Sequence, residues 1–176
     1  MIIIFQYIQS SFKYRWGIYA IFGMGILTNC SRIIPCNLNS GLDAISHNPK
    51  PEFLIGKYKL DAKTIKTVKE YKNIKDGYLI IKSDGTFEMK NIPEGTFDFD
   101  AYYDGKIEGI DVRGSWKSTA HDESAHLVMD INFNKEQTDL KGYLASWQIY
   151  VKDEKAVILI PIGDPDECMA VRFLKE

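Results

Sequence analysis

The chain is poor in the residues that catalysis and metal binding draw on. It has three histidines and three cysteines among 176 residues. His47 stands alone, while His121 and His126 bracket Asp122-Glu123-Ser124. Those residue types can hold a metal, but the segment joins two expected strands, where polar residues are ordinary turn material. No metal site is expected. Ser115 and Ser118 lack the glycine elbow of a nucleophile and have no histidine marked as a partner. Asp98, Asp100 and Asp104 lack the alternating donors and bidentate glutamate of a calcium loop. No catalytic residue and no cofactor follow, so a non-enzymatic protein is expected. Acidic residues are absent before Asp43, and Lys13 and Arg15 are the only charges among the first 31 residues. Of 22 basic residues, setting those two aside leaves 20 against 24 acidic ones, a net charge of −4. A mildly acidic domain has no electrostatic reason to seek phosphates, which excludes nucleic acid as a natural partner.

Long hydrophobic runs are missing too. The apolar stretch Trp16–Leu27 falls short of the ~20 residues that span a bilayer. Extending it back through Met1–Phe12 would place Lys13 and Arg15 inside the membrane, at about 2.5–3.5 kcal/mol each. A basic stub, a short apolar run, then small or polar residues and a cysteine is instead the order of an export signal. Its ending, Leu27-Thr28-Asn29-Cys30, resembles the lipobox of bacterial lipoproteins, with Asn29 where Gly, Ala or Ser is usual. That resemblance implies a signal peptide over 1–29, a lipid such as palmitate on Cys30, and a place in the cell envelope. The outer membrane, on its periplasmic or surface face, is the expected address. The alternatives are a signal peptide that carries no lipid and a signal anchor that is never removed. Residues 30–52 follow with prolines, asparagines and serines in no sustained period, the composition of a flexible tether.

From Phe53 to Glu176 the pattern changes to period two. Strands are expected over Leu54–Leu60, Gly77–Lys82, Thr86–Lys90, Val112–Ser118, His126–Phe133, Tyr143–Val151, Ala156–Ile162 and Ala170–Leu174. Ser83-Asp84-Gly85 carries the Asp-Gly step that favours a tight hairpin. Ala62–Lys72 breaks the period, with Ile65, Val68 and Tyr71 or Lys72 spaced as one narrow helical stripe behind Asp61 as N-cap. The reading is an all-β domain: one antiparallel, eight-stranded up-and-down barrel with one short helix.

Leu54-Ile55-Gly56-Lys57-Tyr58, Ser83-Asp84-Gly85-Thr86-Phe87, Gly114-Ser115-Trp116 and Arg172 together resemble the lipocalin-like domains of bacterial envelope lipoproteins. In lipocalins a basic residue of the last strand packs over a first-strand tryptophan. Here the resemblance implies that Tyr58 takes the tryptophan position and that Arg172 supplies the cation, a barrel-closing pair.

Eight-stranded barrels are just wide enough to be filled by side chains or to hold one small ligand. Tyr58, Phe87, Trp116 and Trp147 face inward by parity and are the candidate ligand contacts. Gly95–Gly109, acidic and aromatic, reads either as a partner-contacting loop at the barrel mouth or as edge strands packed on the barrel. Cys36 and Cys168 are able to pair in an oxidising envelope, although a flexible tether gives no geometric reason for them to meet, which favours two thiols. The expected function is a lipid-anchored, non-enzymatic binding module. Its membrane partner is reached through the lipid, and its target is a small apolar ligand or an envelope protein. The alternative is a periplasmic inhibitor or immunity-type protein acting on a hydrolase or toxin.

Overall fold

The computed structural model describes residues 38–61, 64, 68, 74, 76–106, 108–121, 124–133, 136, 140–164 and 167–176. The expected export segment, Cys30 and Cys36 lie outside them. So does most of the expected helix over Ala62–Lys72. Within it, Thr64 is helical, its carbonyl accepts from Val68 N–H at 3.0 Å, and Val68 is fully buried.

Nine strands are described: β1 (Asp43–Ala44), β2 (Gly56–Leu60), β3 (Tyr78–Ile81), β4 (Thr86–Pro93), β5 (Gly109–His121), β6 (Ser124–Phe133), β7 (Tyr143–Lys152), β8 (Lys155–Ile162) and β9 (Met169–Lys175). Two short helices, α1 (Pro51–Leu54) and α2 (Phe99–Tyr103), and a 3-10 turn at Glu94–Thr96 complete the list. Each strand from β2 to β9 pairs antiparallel with its sequence neighbour, and β9 pairs back onto β2. The sheet is therefore a closed eight-stranded up-and-down barrel, which leaves no edge strand open to stray pairing. β1 is an addition to it. β7 outruns β6, and β1 fills the vacated side through Asp43↔Val151 and Ala44↔Tyr150.

Alternation sets the interior. Tyr58, Leu79, Ile81, Phe87, Met89, Leu127, Met129, Ile131 and Phe173 are each at most 1% exposed and belong to one core. The β3–β4 hairpin turns where the Asp-Gly step predicted. Asp84 Oδ1 accepts from Thr86 N at 2.9 Å and Thr86 Oγ1 at 2.6 Å, and Gly85 takes φ +81°, a conformation that favours glycine. Gly114 is required for a different reason. A Cβ there would fall 1.8 Å from the Asp130 carbonyl oxygen and 2.9 Å from the Phe87 ring.

Two expectations need correction. Residues from Leu38 to Glu52, expected within a flexible tether, are packed on the barrel. Ile45 is 7% exposed in the core, and its carbonyl accepts from Ala125 N at 2.8 Å. Leu38 and Leu42 cover an outward-facing apolar patch of Tyr150, Val157, Leu159, Ala170 and Leu174. Burial of those leucines outweighs the chain entropy of the strap, which composition alone cannot reveal. Cys168, expected as a thiol, is disulfide-bonded. Its partner is one of the two other cysteines, both outside the described residues.

Candidate functional site

The connections divide the barrel into unlike ends. At one end β3–β4, β5–β6 and β7–β8 are joined by the tight spans 82–85, 122–123 and 153–154. At the other end lie every long connection: 61–77, 94–108, 134–142 and 163–168. Long loops on a rigid scaffold are where binding surfaces are usually built.

The tight-turn end is closed by Tyr58 and Lys175. Tyr58 is fully buried, its hydroxyl donates to the Leu54 carbonyl at 2.5 Å, and burial pushes its pKa well above the ordinary phenol value. Lys175 stands opposite Tyr58 in the β2–β9 register. Its Nζ donates to the Phe53 carbonyl at 2.7 Å and lies 6.0 Å from the Phe53 ring centroid. Desolvation lowers its pKa.

Arg172 does not form the expected pair with Tyr58. Val171 and Phe173 point into the core, so Arg172 between them points outward through the wall. There its guanidinium donates to the Ser40 carbonyl at 3.1 Å and to the Leu38 carbonyl, holding the strap down. Its own backbone N–H donates to Thr64 Oγ1 at 2.8 Å, and its carbonyl accepts from Asp61 N at 2.9 Å. The last-strand cation over an aromatic ring is Lys175, and the ring is Phe53.

The four aromatic candidates for the interior separate into two groups. Tyr58, Phe87 and Trp147 are buried in the common core. Trp116 is half-buried at the tight-turn end, its indole N–H donating to the Lys82 carbonyl at 3.0 Å. The mouth at the loop end is filled by rings that the sequence reading did not single out. Phe97 lies edge-on to Phe133 at 5.4 Å and tilted against Trp147 at 6.4 Å, and Phe133 stacks on Tyr143 at 5.6 Å. The Tyr143 pKa is pushed up to about 12 by burial, with the nearby Asp98 carboxylate adding to it. Phe133 and Tyr143 belong to strands β6 and β7, whereas Phe97 sits in a loop, where period two gives no signal.

Two hollows are described, and both open on the outer wall rather than into the barrel. One, of about 180 Å³, runs along Glu88, Lys90, Asp111, Arg113 and Asn132. Lys90 and Asp111 are ion-paired across it at 2.7 Å. The other, of about 210 Å³, lies between Trp116, Val128, Asp130 and Leu144. The span Gly95–Gly109 is not a pair of edge strands: it holds the 3-10 turn and α2, and Gly109 opens β5. Asp98 caps α2 by accepting from Ala101 N at 2.7 Å.

The class so defined is a closed antiparallel barrel whose described inward side chains pack into one apolar core, with one loop-rich end. Neither family models, nor curated proteins, nor solved structures match the chain.

Proposed function

We propose that this chain is a lipocalin-like, lipid-anchored lipoprotein of the bacterial envelope. It acts without catalysis, by docking a protein at the loop-rich end of its barrel. The observation that carries the docking reading over carriage of a small apolar ligand is the aromatic plug. Phe97, Phe133 and Tyr143 occupy the mouth, with Phe97 resting on Trp147, and the rings of Trp147, Tyr58, Phe87 and Phe173 occupy the space below it. An apolar ligand would have to displace well-packed side chains, losing their contacts before making its own. Docking leaves the interior untouched. The anchor rests on Leu27-Thr28-Asn29-Cys30 and the short apolar run before it.

Native mass spectrometry of the full chain released from non-ionic detergent tests the docking reading. The expected result is an empty barrel, and a stoichiometric small molecule retained inside would refute it. For the anchor, Cys30→Ser should abolish labelling by radioactive palmitate and release the protein from membranes. A periplasmic inhibitor or immunity-type role is the second reading, and it uses the same loop-rich end.

A further inference from the structure

Most large apolar side chains of the described residues are sheltered; Phe99 and Tyr103 are not, at 54% and 51% exposed. They stand one helical turn apart on α2 with ring centroids 4.7 Å apart, so they form one continuous aromatic surface. Tyr102, beside Tyr103 on α2, holds the platform in place. Tyr102 packs edge-on to Tyr103 at 5.1 Å, and its hydroxyl donates to Met169 Sδ at 2.9 Å across the β8–β9 connection. Gly95 and Gly163 make room for it, since a Cβ on either would fall 2.7 Å from Tyr102 atoms. α2 is thus pinned by Tyr102 while Phe99 and Tyr103 are presented to water. The Tyr103 hydroxyl is tied to the β8–β9 connection, but both ring faces remain in water, an exposure that costs solubility.

Among the described residues beside the platform, carboxylates predominate. Asp98, Asp100 and Asp104 flank the rings on the α2 side, and Asp164 and Glu167 reach Tyr103 from the β8–β9 connection. The one cation in 95–109, Lys106, is ion-paired with Glu94 at 3.6 Å. Aromatic faces bordered by carboxylates suit a guanidinium, which stacks on a ring while its N–H fork meets carboxylate oxygens. An ammonium is a compact, strongly hydrated charge and uses the ring faces less well.

We infer that Phe99 and Tyr103, framed by Asp100, Asp104 and Glu167, are the docking platform for an arginine-rich segment of a protein partner. This rests on the docking reading above and adds the partner's chemistry to it. The carboxylates speed encounter, and the rings select arginine over lysine.

The test titrates fluorescently labelled nona-arginine and nona-lysine into the full chain in non-ionic detergent, followed by anisotropy at ~0.15 M salt, where long-range attraction is largely screened. Nona-arginine should bind more tightly than nona-lysine. Phe99→Ala with Tyr103→Ala should weaken nona-arginine about five- to thirty-fold, from two cation–π contacts at exposed sites, and leave the circular dichroism spectrum unchanged. Asp100→Asn with Asp104→Asn, which keeps both rings, should weaken both peptides and flatten the salt dependence. Three results would each overturn the inference: no nona-arginine binding, equal affinity for the two peptides, or affinity unchanged by loss of the rings. Failure of the docking reading is seen separately, as a small molecule retained in native mass spectrometry. An empty barrel that ignores nona-arginine would remove the platform and keep the docking reading.

Discussion

The opposite facing of Tyr58 and Arg172 makes a quantitative demand on their energetics. Tyr58 and Arg172 lie on neighbouring strands, but in the β2–β9 register Tyr58 meets Lys175, three residues beyond Arg172. That is ~10 Å along the strand, and the side chains leave the wall in opposite directions. Tyr58→Leu removes the hydroxyl bond to Leu54 and part of the ring volume, for about 2–4 kcal/mol. Arg172→Gln loses at least one of the charged hydrogen bonds to the strap, for about 1–3 kcal/mol. These sums stay within the stability of an ordinary domain, about 5–15 kcal/mol, so the double variant remains measurable. Urea unfolding followed by tryptophan fluorescence gives the four free energies of the cycle. Sites this far apart with no shared partner add to within about 0.5 kcal/mol. A coupling above about 1 kcal/mol would mean that the two side chains meet, and the facing derived from alternation would be wrong. Phe53→Leu with Lys175→Met supplies the contrast: there the cation lies over the ring, and a coupling of about 0.5–1 kcal/mol is expected.

Gly85→Ala should destabilise by about 1 kcal/mol or more in the same urea assay, because φ is +81° while nothing lies within 4 Å of the added methyl; an unchanged midpoint would remove the conformational explanation. A chain starting at Phe53 should unfold at clearly lower urea than one starting at Cys36, since it loses Ile45 from the core and uncovers Val157 and Leu159; equal midpoints would return the strap to the status of a tether. Stability should fall as pH rises from 10 to 12: the Tyr143 pKa is raised to about 12, so its contribution is complete below the ordinary phenol value and is lost through the folded one. Tyr143→Phe should reduce that fall in an alkaline unfolding series, and an identical profile would refute the assignment.

Where side chains alternate in and out of a wall, the sequence could be read closely. The eight expected strands all exist, and the hairpin at Asp84-Gly85 turns at the expected residues. The same alternation was enough to set Arg172 outside, since Val171 and Phe173 are its neighbours; the family resemblance drew it inward against the local evidence. Three features were not legible, and each depends on a contact distant in sequence. β1 has only two residues, too few for a period, and exists because β7 outruns β6. The strap depends on apolar residues of β7, β8 and β9 on the outer face; Ala156–Ile162 reads as apolar on both faces, but no local pattern says what covers the outer one. α2 has five residues and is held by Tyr102 against the β8–β9 connection rather than by helix propensity. At the candidate site the acidic, aromatic character of Gly95–Gly109 was visible in the sequence. Which rings turn inward as a plug and which stand in water was not, because a loop has no fixed period.

The disulfide and the proposed lipid constrain one another. A lipid on Cys30 is carried by its sulfur as a thioether, which removes that sulfur from disulfide chemistry. Under the lipoprotein reading the bridge to Cys168 therefore falls to Cys36 by elimination. Non-reducing peptide mapping decides the premise. A Cys36–Cys168 peptide alongside acylated Cys30 satisfies it, whereas a Cys30–Cys168 peptide would exclude the lipid.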